Sequence, residues 1–125
     1  MKKFLLASAL LLVTMASAQA SDYREGDWVL ARYKGMQFWF PGVVEQSRGD
    51  SVMVAYDDGE RETVPRRDVK PYDWGVGSRV ECQWKGGAEW YSGRITEASK
   101  DGEAISVTYD DGDRERTRTR KCRSR

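Results

Sequence analysis

Beyond residue 21 the apolar positions alternate with polar ones over short runs, and nowhere do they recur at helical spacing. Residues 28–33 (Trp-Val-Leu-Ala-Arg-Tyr) predict a first strand and residues 38–45 a second. Residues 52–56 predict a third, with Val52, Val54 and Tyr56 on one face, and residues 60–64 a fourth. Alternation over such short runs marks half-buried strands. The punctuation agrees: Lys34 and Gly35, then Arg48, Gly49 and Asp50, then Asp58 and Gly59 are turn residues. Asp-Gly is a strong hairpin signal. Pro65 closes the fourth strand, and residues 66–69 predict a short turn into a last pairing segment. The pattern then starts again, with strands expected at 79–84, 89–96, 105–109 and 113–117 and a closing stretch near Cys122.

This recurrence is a duplication. Gly26, Trp39 and Gly42 return 51 positions later as Gly77, Trp90 and Gly93. Tyr56 and Gly59 return after 53, as Tyr109 and Gly112, so two residues are inserted between Ile95 and Tyr109. Five short antiparallel strands per copy suit a small closed barrel, because closure removes exposed edges. The expected organisation is all-β: one barrel over 22–71, a linker over 72–76 and a second barrel over 77–125. The linker is short and aromatic (Tyr72 and Trp74 lie in or beside it), which predicts barrels resting against each other.

Residues 1–20 read differently. Lys2 and Lys3 precede an apolar run from Phe4 to Val13, and Ala18-Gln19-Ala20 precedes the polar Ser21. That is the layout of a cleavable signal peptide. The run is short of the roughly 20 residues that span a bilayer. The expectation is an exported protein, periplasmic or secreted, with no membrane span.

Without Lys2 and Lys3, 19 basic residues face 20 acidic ones, which argues against a general polyanion binder. The basic charge gathers late: residues 114–125 hold seven basic side chains and one acid. Such a tail can follow a phosphate backbone or anionic lipid headgroups, or it can be a solvated edge strand with a frayed end. Each copy alone sits near the lower size limit for independent folding.

Cys82 and Cys122 are the only cysteines. By the repeat they align with Ala31 and Val69, apolar positions of the first copy. If those touch, the cysteines touch, and oxidising compartments permit the bridge. A disulfide there closes a loop of about forty residues and contributes roughly 2–4 kcal/mol. Two buried free thiols are the alternative.

Enzymatic chemistry finds no footing. The chain has no histidine, hence no usual general base, metal ligand or triad partner. The cysteines lack zinc-ligand spacing, and no glycine run leads from strand to helix to cradle phosphate. Asp57 with Asp58 and Asp110 with Asp111 are neighbours on turns and point apart. No cofactor or metal is expected. What does repeat is a set of aromatics beside an acid: Trp84, Tyr91, Tyr109 and Asp111, matching Tyr33, Phe40, Tyr56 and Asp58. In a small barrel these positions share one rim. Aromatic faces attract a cation through their quadrupoles, by roughly 0.5–2 kcal/mol per contact. A carboxylate at the lip adds a charge-assisted hydrogen bond.

Both copies resemble Tudor domains, SH3-like barrels of the tandem kind found in chromatin readers and close to Agenet modules. The likeness rests on an aromatic at the end of the first strand and another seven residues on, in Phe40-Pro41-Gly42 and Tyr91-Ser92-Gly93. It rests equally on a third aromatic before Asp-Asp-Gly, and covers nearly all of residues 24–123. The resemblance implies two aromatic cages, Trp84, Tyr91, Tyr109 and Asp111 in one and Tyr33, Phe40, Tyr56 and Asp58 in the other. Their implied ligand is a peptide or protein carrying methylated or basic side chains. Where related readers place a further aromatic after Asp-Asp-Gly, this chain has Glu60 and Asp113. That change suits a lower methylation state, a methylarginine or a plain basic peptide. Set against the cage are two other readings. One is a structural or envelope interaction module whose aromatics are only core; the other is polyanion (nucleic acid or lipid) binding through the Arg-rich end. Trp39 and Trp90 fall on the opposite parity from Phe40 and Tyr91, pointing between the barrels or onto a neighbouring turn.

Overall fold

The structure is a computed structural model that describes residues 22–125; the expected signal peptide, residues 1–20, lies outside them. The first copy contains β1 (Trp28–Arg32), β2 (Trp39–Arg48), β3 (Ser51–Tyr56), β4 (Arg61–Pro65) and β5 (Val69–Pro71). The second contains β6 (Arg79–Gln83), β7 (Trp90–Ala98), β8 (Ala104–Tyr109), β9 (Arg114–Arg118) and β10 (Cys122–Arg123). Each set forms one antiparallel five-stranded sheet, ordered β4-β3-β2-β1-β5 and β9-β8-β7-β6-β10. The all-β, two-barrel expectation holds.

Two local features bend these sheets. β2 and β7 are the long strands, and each skips a residue against its partner, after Val44 and after Ile95. Such a bulge sharpens the local twist and lets one strand serve both sides of a barrel. Next to it sits a close approach. A Cβ on Gly42 would stand 2.8 Å from the Ala55 carbonyl oxygen, and one on Gly93 would stand 2.6 Å from that of Thr108. Glycine is required at both because backbone passes where a side chain would be.

The first core comprises Val29, Ala31, Val44, Val52, Val54, Tyr56, Val64 and Val69. The second comprises Val80, Cys82, Ile95, Ile105, Val107, Tyr109 and Cys122, with two contributions from outside its own sheet, Leu30 and Trp74. β1 alternates as the sequence predicts, but both of its faces are buried. Val29 and Ala31 turn into their own barrel, while Leu30, fully buried, joins the neighbour's core. Burying that one leucine favours the docked arrangement by about 1.5–3 kcal/mol. The equivalent position in the second copy is Glu81, a charged residue that pairs with Arg123 and Arg125.

The expectation of barrels in contact is met, by more than the linker. Trp39 and Ser124 exchange both backbone hydrogen bonds, 2.7 and 3.0 Å, so the end of the second barrel pairs with the start of β2. The Trp74 indole N–H donates to Ser124 Oγ at 3.1 Å in a buried site. Thr119 Oγ1 donates to Asp57 across the boundary at 3.3 Å. The two-residue insertion lies in the β7–β8 connection, where residues 99–103 replace the Gly49-Asp50 turn of the first copy. Its Gly102, in a left-handed conformation, lies flat against the Trp28 ring and leaves no room for a Cβ. The insertion is therefore part of the interface.

Cys82 and Cys122 form a disulfide. They face each other directly across β6 and β10, as Ala31 and Val69 do across β1 and β5. The frayed end expected for the Arg-rich segment is not found. β9 is indeed an edge strand, but Thr119, Cys122 and Ser124 are buried. The disulfide and the Trp39 pairing hold that segment on both sides.

Candidate functional site

The first strand of each copy stops one residue short of the expected end, just before its aromatic. β1 ends at Arg32 and β6 at Gln83, so Tyr33 and Trp84 each open a tight 3-10 turn instead of closing a strand. The cause is the following pair. Lys34 and Lys85 adopt φ of 53° and 52°, and Gly35 and Gly86 are left-handed too. A left-handed lysine is uncommon, and here a carboxylate holds it. Glu62 accepts the Lys34 backbone N–H at 2.9 Å, and Glu115 accepts that of Lys85 at 2.7 Å.

The same two carboxylates reach the third aromatic. Glu62 accepts the Tyr56 hydroxyl proton at 2.8 Å and Glu115 that of Tyr109 at 2.6 Å. One acid thus ties the turn bearing the first ring to the ring of the third strand, in both copies. Burial, then this bond to an anion, pushes both phenols far above their ordinary range and keeps them protonated. Sequence reasoning passed over Glu62 and Glu115. Their only signal was recurrence at the 53-residue offset, which many bland positions share.

The structure brings together every residue of each expected set. In the second copy Tyr109 forms the floor. Trp84 stands perpendicular to it at 5.7 Å between ring centroids and Tyr91 at 6.5 Å. The first copy repeats this, with Tyr33 and Phe40 perpendicular to Tyr56 at 5.7 and 6.5 Å. The rings have not collapsed onto one another. A hollow of about 350 Å³ lies among Trp84, Tyr91, Tyr109, Asp111 and Asp113. A smaller one, about 270 Å³, lies among Tyr33, Phe40, Tyr56, Asp58 and Glu60.

At each lip the acid before glycine folds back on the turn: Asp58 Oδ1 accepts the Glu60 N–H at 3.0 Å, and Asp111 Oδ1 that of Asp113 at 2.9 Å. The turn acids do diverge. Asp57 faces Thr119 of the other barrel, and burial raises its proton affinity despite that bond. Asp110 pairs with Arg79 at 2.5 Å. Glu60 and Asp113, which stand where a further aromatic was absent, both line the hollows and add negative charge.

The cups differ in their second wall. Tyr91 is 46% exposed, and its hydroxyl donates to Glu89 at 3.1 Å, a bond that raises its pKa. Phe40 instead packs edge-on against Trp90 of the other barrel at 6.1 Å. Both parity-opposed tryptophans therefore face between the barrels: Trp90 meets Phe40, and Trp39 packs on the second core. A third hollow, about 370 Å³, lies in the inter-barrel cleft beside Trp28, Tyr72 and Asp57.

Residues 26–73 match the family model described as the Agenet domain. No curated protein sequence matches the chain. Solved structures similar to it include AGD34 of Arabidopsis thaliana AGDP1, at 20% identity over 82% of this chain and 82% of that one, with a TM-score of 0.39. Another is the ADCP1 tandem Agenet domain 3-4, at 18% identity over 82% of this chain and 80% of that one, with a TM-score of 0.38.

Proposed function

We propose that this tandem Tudor/Agenet-like protein is a non-enzymatic binding module that takes a cationic side chain of a peptide, methylated Lys or Arg, into its aromatic cups. The observation that carries this reading is the duplicated hollow itself, two perpendicular walls on a buried floor with carboxylates at the lip. Rings serving only as core would fill that space, since interiors pack densely. The second cup is the stronger candidate. It is the larger, it has Trp at the position of Tyr33, and its Tyr91 wall is open to solvent.

The acids set the preference. A quaternary ammonium gains only from π-faces, whereas a carboxylate rewards a cation that keeps an N–H. Asp113 stands where a further ring would enclose a third methyl group, with Asp111 beside it at the lip, so mono- or dimethyl-lysine and methylarginine fit better than trimethyl-lysine. With export, the expectation from residues 1–20, the partner would be one met outside the cytoplasm. The Arg-rich segment supports polyanion binding less well, because Arg123 and Arg125 are both engaged by Glu81.

The test is a chemical-shift titration of the folded protein with matched Lys and Arg peptides in each methylation state. Binding in the cup moves the Trp84, Tyr91 and Tyr109 signals, and Trp84→Ala removes the response. If no peptide moves those signals, the reading fails.

A further inference from the structure

We propose that Arg123 is the internal ligand of a third aromatic and acidic box, built across the two barrels, and that this box holds the wall of the first cup but not of the second. Its guanidinium lies 3.5 Å from the Phe38 ring centroid and 4.1 Å from that of Trp90. One ring comes from the approach to β2 and the other from the start of β7, so each barrel supplies one face. Arg123 Nε donates to Glu81 Oε1 at 2.9 Å, and the two side chains are only 18% and 14% exposed. Two π-faces and a carboxylate around a cation are the chemistry of the cups, here satisfied from within the chain.

The segment bearing Arg123 cannot swing freely. Cys122 before it is bonded to Cys82, and Ser124 after it exchanges backbone hydrogen bonds with Trp39. From the box a row of rings leads into the first cup: Trp90 meets Phe40 at 6.1 Å, and Phe40 meets the floor ring Tyr56 at 6.5 Å. The second cup has no such backing. Tyr91, the counterpart of Phe40, makes its ring contact with Tyr109 alone among the described residues, and half of it faces solvent. Duplication supplied the cation position, since Lys70 lies 4.7 Å over Trp39 as Arg123 lies over Trp90. The second wall, Phe38, has Glu89 as its counterpart, so the closed sandwich exists once. Arg123 is thus a positioning residue that makes the first cup depend on barrel docking.

The cup-binding half of this proposal rests on the function proposed above; the docking half does not. The experiment compares the oxidised full chain with Arg123→Gln and Phe38→Leu by NMR, using Nε-dimethyl-lysine amide as the probe. Expected for both variants is a loss of about fivefold in affinity read at Tyr33 and Tyr56, the scale of one lost cation–π contact relayed through a wall. Affinity read at Trp84 and Tyr109 stays unchanged. Equal loss at both cups, or at neither, overturns the proposal. If the parent protein binds the probe in neither cup, the function proposed above fails instead. The docking half is then read from Phe40 and Trp90 ring shifts and from residual dipolar couplings between the barrels. Couplings and ring shifts identical in parent and variants overturn it; altered ones support it. Phe38→Leu keeps an apolar filler outside the strands, so one folded variant remains if Arg123→Gln does not fold.

Discussion

Glu115 accepts the Tyr109 hydroxyl proton at 2.6 Å with one oxygen and the Lys85 amide at 2.7 Å with the other. Wall and floor of the second cup are set by that one carboxylate. Glu115→Ala leaves a buried hydroxyl and a turn amide unpaired, which costs about 1–3 kcal/mol. Glu115→Gln still offers an oxygen and an amide group and loses less. Urea midpoints of the two variants give the ranking, and equal midpoints to the parent contradict the role assigned to Glu115.

Alkali should destabilise the fold through its tyrosines. Burial pushes Tyr72 up to about 12, and Tyr56 and Tyr109 are raised further. A raised folded-state pKa contributes stability that is complete below the unfolded value of about 10 and is lost as pH climbs toward the folded value. Melting temperature should therefore fall between about pH 10 and 12, where tyrosines of an unfolded chain ionise. Tyr72→Phe should flatten part of that fall. A melting curve for Tyr72→Phe as steep in pH as the parent's would count against it.

Trp84→Ala and Tyr109→Ala should separate binding from folding. Trp84 is a half-buried wall, whereas Tyr109 is 4% exposed and belongs to the second core. Truncating the floor costs about 3–5 kcal/mol, as for other large core aromatics. Truncating the wall costs less and removes cation binding. Calorimetry together with a peptide titration distinguishes the two, and equal destabilisation would remove the distinction between wall and floor.

Gly93→Ala should cost roughly 1–3 kcal/mol by overpacking. The new Cβ would stand 2.6 Å from the Thr108 carbonyl oxygen and 2.9 Å from Tyr109 Cα. Because the second contact is with the floor residue, peptide affinity should fall along with stability. Gly75→Ala, where a Cβ meets nothing, is the matched control.

Reduction should loosen the second barrel more than the first. The bridge closes a separation of 40 residues between β6 and β10, worth about 2–4 kcal/mol. The first copy pairs Ala31 with Val69 at the same place and has nothing to reduce. Hydrogen exchange with and without a dithiol should speed up at Val80 and Ile105 while Val52 and Val54 keep their protection.

Much of this was written along the chain. The repeat fixed the two barrels, the Asp-Gly hairpins, the facing cysteines and the aromatic sets, because side-chain period and turn chemistry are local properties read in order. Even the cups follow from that, since Trp84, Tyr91 and Tyr109 meet wherever three successive strands share a rim. Other features depended on tertiary contact: the carboxylates behind the phenols, the inward course of residues 119–125, Leu30 crossing into the neighbouring core, and Arg123 between Phe38 and Trp90. The carboxylates meet the phenols by packing within each barrel, and the other three depend on how the two barrels dock. Periodicity assigns a side chain to a face of its own strand, but only packing decides what covers that face.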